Sequence, residues 1–206
     1  MKTPKISEAV IRRLPVYLRY LQHLHEMNIT TVSSLDLGQH LEMNPAQIRK
    51  DLAYFGEFGR KGIGYDVEYL IAKIKQILKL DRRLNVALVG AGNLGTALSN
   101  YNRYTNEKMK IVAIFDSFPE KIGTKIGTVK VQPIQELAKT VKEQDVKIGI
   151  ITVPATEAQK VADQMVEAGI KGILNFAPIT MRVPNHVYLR NADLTTELQS
   201  LAYYIG

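Results

Sequence analysis

The chain has 206 residues, 46% hydrophobic and 23% charged, a composition that suits one or two globular domains with an ordinary core. It has no cysteine, no apolar run near the ~18 residues of a membrane span and no signal peptide, which excludes disulfides and thiol switches and predicts a cytoplasmic protein without a membrane partner. The net charge of +7 is concentrated in residues 1–83, which carry 14 Lys and Arg against 9 Asp and Glu; this excess fits a polyanionic partner and a solubilising surface about equally.

The chain begins with three predicted helices. Apolar side chains recur at helical spacing over residues 7–27, and capping residues predict a short helix over 35–41 and a third helix from 45 to about 55. Pro15 lies inside the first of these segments and should kink the helix or restart it, because proline lacks a backbone donor. Asn44 precedes Pro45 at the start of the third segment, and this pair is typical of a helix N-terminus.

A glycine-rich segment follows, and together with the helices it predicts a winged helix-turn-helix. Residues 56–65 hold four glycines, which is typical of a tight hairpin, and Asp66 can cap a further helix that connects to the second half. In a winged helix, the third helix enters the major groove of DNA. The predicted DNA contacts are therefore Gln47, Arg49, Lys50 and Tyr54 on that helix, and Arg60 and Lys61 at the hairpin tip. A small helical dimerisation domain with solvated charges explains the same pattern.

From residue 84 the pattern changes to short apolar runs that alternate with helices. The runs are rich in β-branched residues and lie at 86–89, 111–115, 148–153 and, more weakly, 172–176. Helices are predicted between them at 95–104, 134–142 and 157–168. Apolar strands linked by helices indicate a parallel sheet that is covered on both faces, so the predicted fold class is α/β.

The first strand of this sheet runs into a dinucleotide-type glycine loop, Gly90-Ala91-Gly92-Asn93-Leu94-Gly95. A GxGxxG motif alone is a weak signal, but this one follows a predicted strand and opens a predicted helix. In such a loop Gly90 makes the turn, Gly92 lets the backbone approach a pyrophosphate, and Gly95 allows the helix to pack on the strand. The helix N-terminus adds free amides and a partial positive charge for phosphates. We therefore interpret the second half as a Rossmann-type nucleotide-binding domain.

Further nucleotide contacts are expected where the later strands end. Asp116 closes the second strand about 20 residues beyond the loop, where a carboxylate binds the adenosine ribose diol and repels a 2′-phosphate, so NAD(H) is favoured over NADP(H). An alternative role for Asp116 is that of a turn residue. Because ligands bind beyond the carboxyl ends of parallel strands, the contacts expected from the next two strands are Thr152, Val153, Pro154, Asn175 and Phe176.

No catalytic or metal site is apparent in the sequence. His23 and His25 are two residues apart on a predicted helix, so they face different ways and do not form a metal pair. No acid or base and no carbonyl-polarising group can be assembled for hydride transfer. The sequence therefore predicts a binding protein rather than an enzyme. The alternatives are a small NAD-dependent oxidoreductase and a CoA-binding domain, which uses a similar glycine loop.

Six segments distributed over the whole chain resemble one family. They are NPAQIRKDLAYFGEFGRKGIGY, VALVGAGNLG, IFD, TVPATEAQK, GIKGILNFAP and DLTTELQSLAYYIG. Together they resemble the Rex redox-sensing transcriptional repressors. The resemblance implies a homodimer that binds a palindromic double-stranded DNA operator when NADH is scarce and leaves it when NADH binds, while NAD+ competes weakly.

The resemblance also implies how the chain is divided. It makes residues 1–83 the winged-helix DNA-binding domain, residues 84–190 the Rossmann domain, and residues 191–206 a dimerisation helix that is swapped onto the partner subunit. An apolar stripe on the last segment suits that exchange and consists of Leu194, Leu198, Leu201 and Ile205. The positions that the resemblance assigns to a polar link between subunits and domains are Arg19, Tyr101 and Asp193.

Overall fold

The computed structural model of the chain describes residues 6–54, 56, 59–60, 64–105 and 108–205, and for residues 59–60 and 102–105 it describes the backbone alone. Two compact units are present, Met1–Asp81 and Arg82–Gly206. Within the described residues, no helix combines the length and the apolar character that crossing a membrane requires.

The first unit consists of four helices and a small antiparallel sheet. The helices are α1 (Glu8–Glu26), α2 (Ser34–Leu41), α3 (Pro45–Ala53) and α4 (Val67–Ile77). The strands are β1 (Thr31–Val32), β2 (Gly59–Arg60) and β3 (Gly64–Asp66), in the order β1-β3-β2. This is the winged helix expected from the sequence, with β2 and β3 as the wing. The sequence prediction has no counterpart of β1, because two residues are too few to show an alternating pattern.

Helix α1 is continuous, which corrects the expectation that Pro15 restarts it. Ser7 caps the helix by accepting a hydrogen bond from the Val10 amide. Leu14 and Leu18, on either side of the proline, are buried in the core that α1 shares with α4. Burial of two leucines contributes about 3–6 kcal/mol, which offsets the roughly 3 kcal/mol penalty of an interior proline.

Helix α3 begins as predicted and ends slightly earlier than residue 55. Asn44 accepts a hydrogen bond from the Ala46 amide at 2.8 Å, and Pro45 occupies the first turn. Ile48 and Leu52 lie on the buried face of the helix, as their four-residue spacing predicts. The remaining faces of α3 are therefore turned away from the core of the unit.

The second unit is a seven-stranded sheet with helices on both faces, which confirms the α/β class. Its strands are β4 (Leu84–Val89), β5 (Met109–Asp116), β6 (Lys125–Ile126), β7 (Val129–Pro133), β8 (Val146–Ile151), β9 (Gly172–Asn175) and β10 (Tyr188–Asn191). Its helices are α5 (Asn93–Thr105), α6 (Leu137–Glu143), α7 (Ala155–Glu167) and α8 (Leu194–Ile205). The strand order is β10-β9-β8-β4-β5-β7-β6, and every neighbouring pair is parallel except β6 with β7.

Strand β4 lies at the centre of this sheet and contributes to both of its cores. Ala87 and Val89 pack with side chains of α6 and α7, whereas Val86 and Leu88 pack on the opposite face, beside Leu98 of α5. Because the strands on either side of β4 connect to helices on opposite faces, a crevice opens beyond their carboxyl ends. The glycine loop follows β4 into this crevice.

Helix α8 differs from the other helices of the unit, because none of its residues is buried. The stripe identified in the sequence is exposed, at 65% for Leu194, 68% for Leu198, 54% for Leu201 and 84% for Ile205. The exchange of this helix between subunits stays a prediction.

Candidate functional site

The glycine loop has the local geometry that a nucleotide-binding turn requires. Gly90 has φ +110°, and a Cβ there would approach the Thr152 carbonyl oxygen to 2.7 Å. A Cβ at Gly95 would overlap the Gly90 carbonyl oxygen. At Gly92, in contrast, a Cβ would meet nothing within 4 Å. The loop is thus tightly packed at its two ends and open at its middle glycine, directly before the N-terminus of α5, where a pyrophosphate would fit.

The Asp116 carboxylate faces this loop from the end of β5. It accepts hydrogen bonds from the Ala91 amide at 2.7 Å and the Phe118 amide at 3.0 Å, and Lys121 Nζ lies 3.3 Å from Oδ2. Burial alone would raise the pKa of Asp116, but these three donors hold that pKa below its ordinary value. Asp116 is therefore ionised at neutral pH and also organises the turn that follows β5, so its two expected roles are compatible.

Thr152 connects the end of β8 to the same loop. Its hydroxyl lies 2.8 Å from the Gly90 carbonyl oxygen and 3.1 Å from the Val89 carbonyl oxygen, so it donates within the protein. The backbone of this segment is held in the same way, because the Thr152 amide donates to Val89 at 2.9 Å. Thr152 therefore fixes the position of the loop relative to β8.

A cavity of about 780 Å³ lies between these elements, at the carboxyl ends of β4, β5 and β8. This volume is in the range of a cofactor site. Six of the residues predicted from the sequence line it, namely Gly90, Gly92, Asp116, Thr152, Val153 and Pro154. The sequence prediction missed other lining residues, which include Phe118, Lys121, Gln135, Glu157, Lys160 and Gln164. The last three follow helical spacing on α7, and this spacing is the signal that would have identified them.

The other predicted nucleotide contacts lie outside this lining. Asn175 is fully buried, and its amide side chain bonds to the backbone of Ala177 in both directions and to Asn191 at 3.1 Å. Phe176 is half-buried beside it. Ala91 acts through its amide on Asp116. Asn93, Leu94 and Gly95 form the first turn of α5. A ligand role for these six residues stays a prediction.

The predicted DNA-contacting residues of α3 lie on its outer surface. Gln47, Arg49, Lys50 and Tyr54 are all exposed. Arg49 Nη1 donates to the Ser34 hydroxyl at 2.9 Å, which joins α3 to the start of α2. The side chain of Arg60 and the whole of Lys61 lie outside the described residues.

Gln47 also belongs to a buried network that the sequence analysis missed. Its amide donates to Asp51 Oδ1 at 2.7 Å, and the Asp51 carboxylate, fully buried, accepts hydrogen bonds from the Arg13 guanidinium and the Tyr17 hydroxyl. Burial raises the pKa of Tyr17 above its usual value, and the hydrogen bond to the Asp51 carboxylate raises it more. For Asp51, burial opposes ionisation, but the bonds from Arg13, Tyr17 and Gln47 hold its pKa below the ordinary value. An ionised carboxylate therefore ties α3 to α1.

The three residues assigned to subunit coupling are placed as follows. Arg19 is exposed on α1, and Tyr101 is 68% exposed on α5. Asp193 precedes α8 and accepts hydrogen bonds from the Thr196 hydroxyl at 2.7 Å and from the amides of Thr195 and Thr196. These bonds hold the pKa of Asp193 below its ordinary value, with the Thr196 hydroxyl as the largest cause. The coupling role of the three residues stays a prediction.

Among the described residues, no group of three or more His, Asp or Glu side chains is arranged to hold a metal ion. The charged groups that line the cavity are Asp116, Lys121, Glu157 and Lys160.

Two families and several solved structures are similar to this chain. Residues 5–53 match a family described as putative DNA-binding protein N-terminus, and residues 81–179 match the CoA binding domain. The redox-sensing transcriptional repressor Rex of Brevibacillus brevis is 59% identical over 99% of both chains. RSP, a Rex-family repressor, in complex with β-NAD+ and operator DNA has a TM-score of 0.92 and 40% identity, covering 98% of this chain and 93% of RSP. RSP in complex with β-NADH has a TM-score of 0.88 and 38% identity, covering 97% and 94%.

Proposed function

The chain belongs to the Rex family of redox-sensing transcriptional repressors, and from this premise we propose that it is a cytoplasmic homodimer that represses transcription by binding a palindromic operator and is released when NADH binds. We assign DNA binding to residues 1–83, nucleotide binding to residues 84–190 and dimerisation to residues 191–206. The observation that carries the proposal is the cavity beside the open Gly92, because it combines an unobstructed backbone at a helix N-terminus with an ionised carboxylate one strand away.

Each end of the cavity suits a different part of NADH. The amides around Gly92 and the N-terminus of α5 would hold the pyrophosphate, and the Asp116 carboxylate would accept both hydroxyls of the adenosine ribose. A 2′-phosphate would bring negative charge against Asp116, so this site favours NADH over NADPH. The solved structures of RSP with β-NAD+ and with β-NADH support NAD(H) as the ligand.

The outer face of α3 suits the major groove of DNA. Arg49 and Lys50 are exposed cations on this face, and the hydrogen bond from Arg49 to Ser34 limits its mobility. A guanidinium that is fixed in this way is suited to a bidentate contact with guanine, the commonest specific contact in the major groove. The RSP structure that contains operator DNA, together with the match of residues 5–53 to a putative DNA-binding family, supports DNA binding by this unit.

Dimerisation through α8 would explain why its apolar stripe is exposed in one chain. Side chains of this kind are rarely left in water along a whole helix face, because each buried leucine contributes about 1.5–3 kcal/mol. In a dimer, two copies of α3 must lie about 34–36 Å apart to read neighbouring half-sites. We propose that NADH binding changes this spacing, so that the two helices no longer fit the operator together.

The switch has a thermodynamic requirement. NADH must bind the released dimer more tightly than the operator-bound dimer, since a ligand of equal affinity for both states shifts nothing. NAD+ carries an additional positive charge on its nicotinamide ring, and burial of that charge in a closed, apolar site is costly. This cost would let the repressor respond to the ratio of the two forms.

A gel-shift titration tests the proposal directly. The protein is mixed with a palindromic operator fragment and titrated with NADH, with NAD+ and with neither. We expect NADH to dissolve the complex and NAD+ to leave it largely intact. Asp116→Ala should bind NADH more weakly and stay on the operator. If NAD+ dissolves the complex and NADH does not, the sensing model is wrong.

We propose further that the chain does not turn NADH over. No residue set for hydride transfer was identified in the sequence, and the relatives are named as repressors. The test is the absorbance of NADH at a fixed protein concentration with small carbonyl compounds; steady oxidation would contradict the proposal. Because the second half also matches a CoA-binding family, CoA is titrated in parallel, and tighter binding of CoA than of NADH would identify a different ligand.

A further inference from the structure

The turn after β5 places a lysine at the rim of the nucleotide cavity. Lys121 Nζ lies 3.3 Å from Asp116 Oδ2 and 5.0 Å from the centroid of the Phe118 ring. Its side chain is 33% exposed, and all three residues line the cavity. The ammonium group therefore sits beside the carboxylate to which we assign the ribose hydroxyls, held there by an ion pair and an aromatic face.

The donors of this ammonium group are not all used inside the protein. A lysine ammonium carries three N–H donors, and among the residues that the structure describes Asp116 is its one side-chain acceptor. Two donors are thus left for an acceptor at the cavity rim. A phosphate oxygen is a favourable partner, because hydrogen bonds between charged groups are roughly twice as strong as neutral ones.

We propose that Lys121 is a specificity-determining residue, which together with Asp116 sets the choice between NADH and its 2′-phosphorylated form. This inference rests on the proposed binding of NADH in the cavity. Asp116 repels a phosphate at the ribose and at the same time pairs with Lys121, so the carboxylate weakens, without abolishing, a phosphate site formed by the two remaining donors of the ammonium group. Removal of the Asp116 charge removes the repulsion and releases the ammonium group from its ion pair, and the contact that NADPH makes and NADH cannot make then becomes stronger.

A purely structural role for Lys121 makes a different prediction. Its amide donates to the Phe118 carbonyl at 3.0 Å, and the side chain covers the Phe118 ring, so the residue also stabilises the turn. Loss of turn stability would weaken the binding of NADH and the binding of NADPH by the same factor. The ratio of the two dissociation constants therefore separates a role in specificity from a role in folding.

The experiment is a double-mutant cycle of the full chain. Dissociation constants for NADH and NADPH are measured by nicotinamide fluorescence, or by displacement of NADH, for the parent, Lys121→Ala, Asp116→Asn and the double variant. We expect Asp116→Asn to shift the ratio toward NADPH by about tenfold, and Lys121→Ala to abolish that shift in the double variant. In the parent background, Lys121→Ala should weaken NADPH binding about threefold more than it weakens NADH binding.

Lys125→Ala is the matched control, because Lys125 is an exposed lysine on β6 outside the cavity lining. If Lys125→Ala shifts the ratio of the two dissociation constants equally, net charge alone explains the effect and the inference is overturned. An unchanged ratio in Lys121→Ala would overturn it too, and this comparison decides the matter if Asp116→Asn does not fold. A parent protein that binds no NADH would overturn the proposed function along with the inference, whereas the other two outcomes leave the proposed function standing.

Discussion

Asp51→Ala removes the acceptor that ties the proposed recognition helix α3 to α1. The parent carboxylate has no solvent exposure and receives hydrogen bonds from Arg13 Nη2 at 2.9 Å, from the Tyr17 hydroxyl at 2.7 Å and from Gln47 at 2.7 Å. In the variant, the Tyr17 hydroxyl stays buried, at 1% residue exposure, without this acceptor. The Arg13 guanidinium loses its counter-charge at the same time.

The loss of stability follows from these contacts. Removal of one partner of a buried ion pair costs about 3–5 kcal/mol, and an unpaired buried hydroxyl costs about 1–3 kcal/mol. The Arg13 side chain is 26% exposed and can turn toward water, which reduces the first of these costs. We therefore expect Asp51→Ala to lower the free energy of unfolding of the first unit by about 3 kcal/mol. This is a large fraction of the total for a typical domain, whose free energy of unfolding is about 5–15 kcal/mol.

Amide hydrogen exchange measured by mass spectrometry reports on the first unit separately. We expect the core amides of α1 and α3 to exchange about a hundredfold faster in Asp51→Ala, while amides of the second unit and the NADH affinity are unchanged. Asp36→Ala is the control, because Asp36 is an exposed member of the α2 capping box and its loss should cost about 1 kcal/mol. If the α3 amides exchange as slowly in Asp51→Ala as in Asp36→Ala, the buried carboxylate does not hold this helix.

Three further predictions concern the loop, the helix and the pH response. Gly95→Ala should raise the dissociation constant of NADH by at least about tenfold, because the added Cβ overlaps the Gly90 carbonyl oxygen. A Cβ at Gly172 meets only ordinary contacts, so Gly172→Ala should bind NADH normally. Equal NADH binding by the two variants would contradict the packing argument. Arg49→Ala should weaken operator binding about 10- to 100-fold without changing NADH affinity, and an unchanged gel shift would remove Arg49 from the DNA interface. The pKa of Asp51 is lowered in the folded state, so the stability that Asp51 contributes is present above the unfolded pKa of about 3.9 and is lost as the pH falls through the folded value. Urea unfolding at pH 7 and pH 3 should therefore show that the free energy of unfolding falls more in the parent than in Asp51→Asn. An equal fall in both proteins would contradict this assignment.

The features that the sequence predicted are those with local causes. Asn44 and Pro45 start α3 because a cap and a preset φ act within one turn. Gly90 is required by its positive φ, and Gly95 by the approach of the Gly90 carbonyl oxygen within the same six-residue loop. The central strands were predicted because both of their faces are covered, which makes them continuously apolar. In each case the pattern that signals the feature lies within a few consecutive residues.

The features that the sequence did not predict depend on distant partners. Asp51 looks like a solvated helix residue until α1 brings Arg13, 38 positions away, against it; its place between Ile48 and Leu52 on the buried face was the available hint. Strand β10 is largely exposed at the sheet edge, so its sequence shows no alternation. The α7 wall of the cavity was missed because Lys160 and Gln164 look like ordinary surface residues until the fold turns them toward the carboxyl edge of the sheet.

The attachment of α8 to the sheet has a mechanical consequence. Ala192, just before the helix, donates its amide to the Asn175 carbonyl at 2.8 Å, and the Asn175 side chain bonds to Asn191, so the base of the helix is anchored to the end of β9. Beyond this anchor α8 extends for 12 residues, or about 18 Å. A rotation of about 10° at the base displaces the far end by about 3 Å. The helix is thus a stiff lever, which converts a rotation too small to disrupt the sheet into a displacement about as large as a side-chain contact.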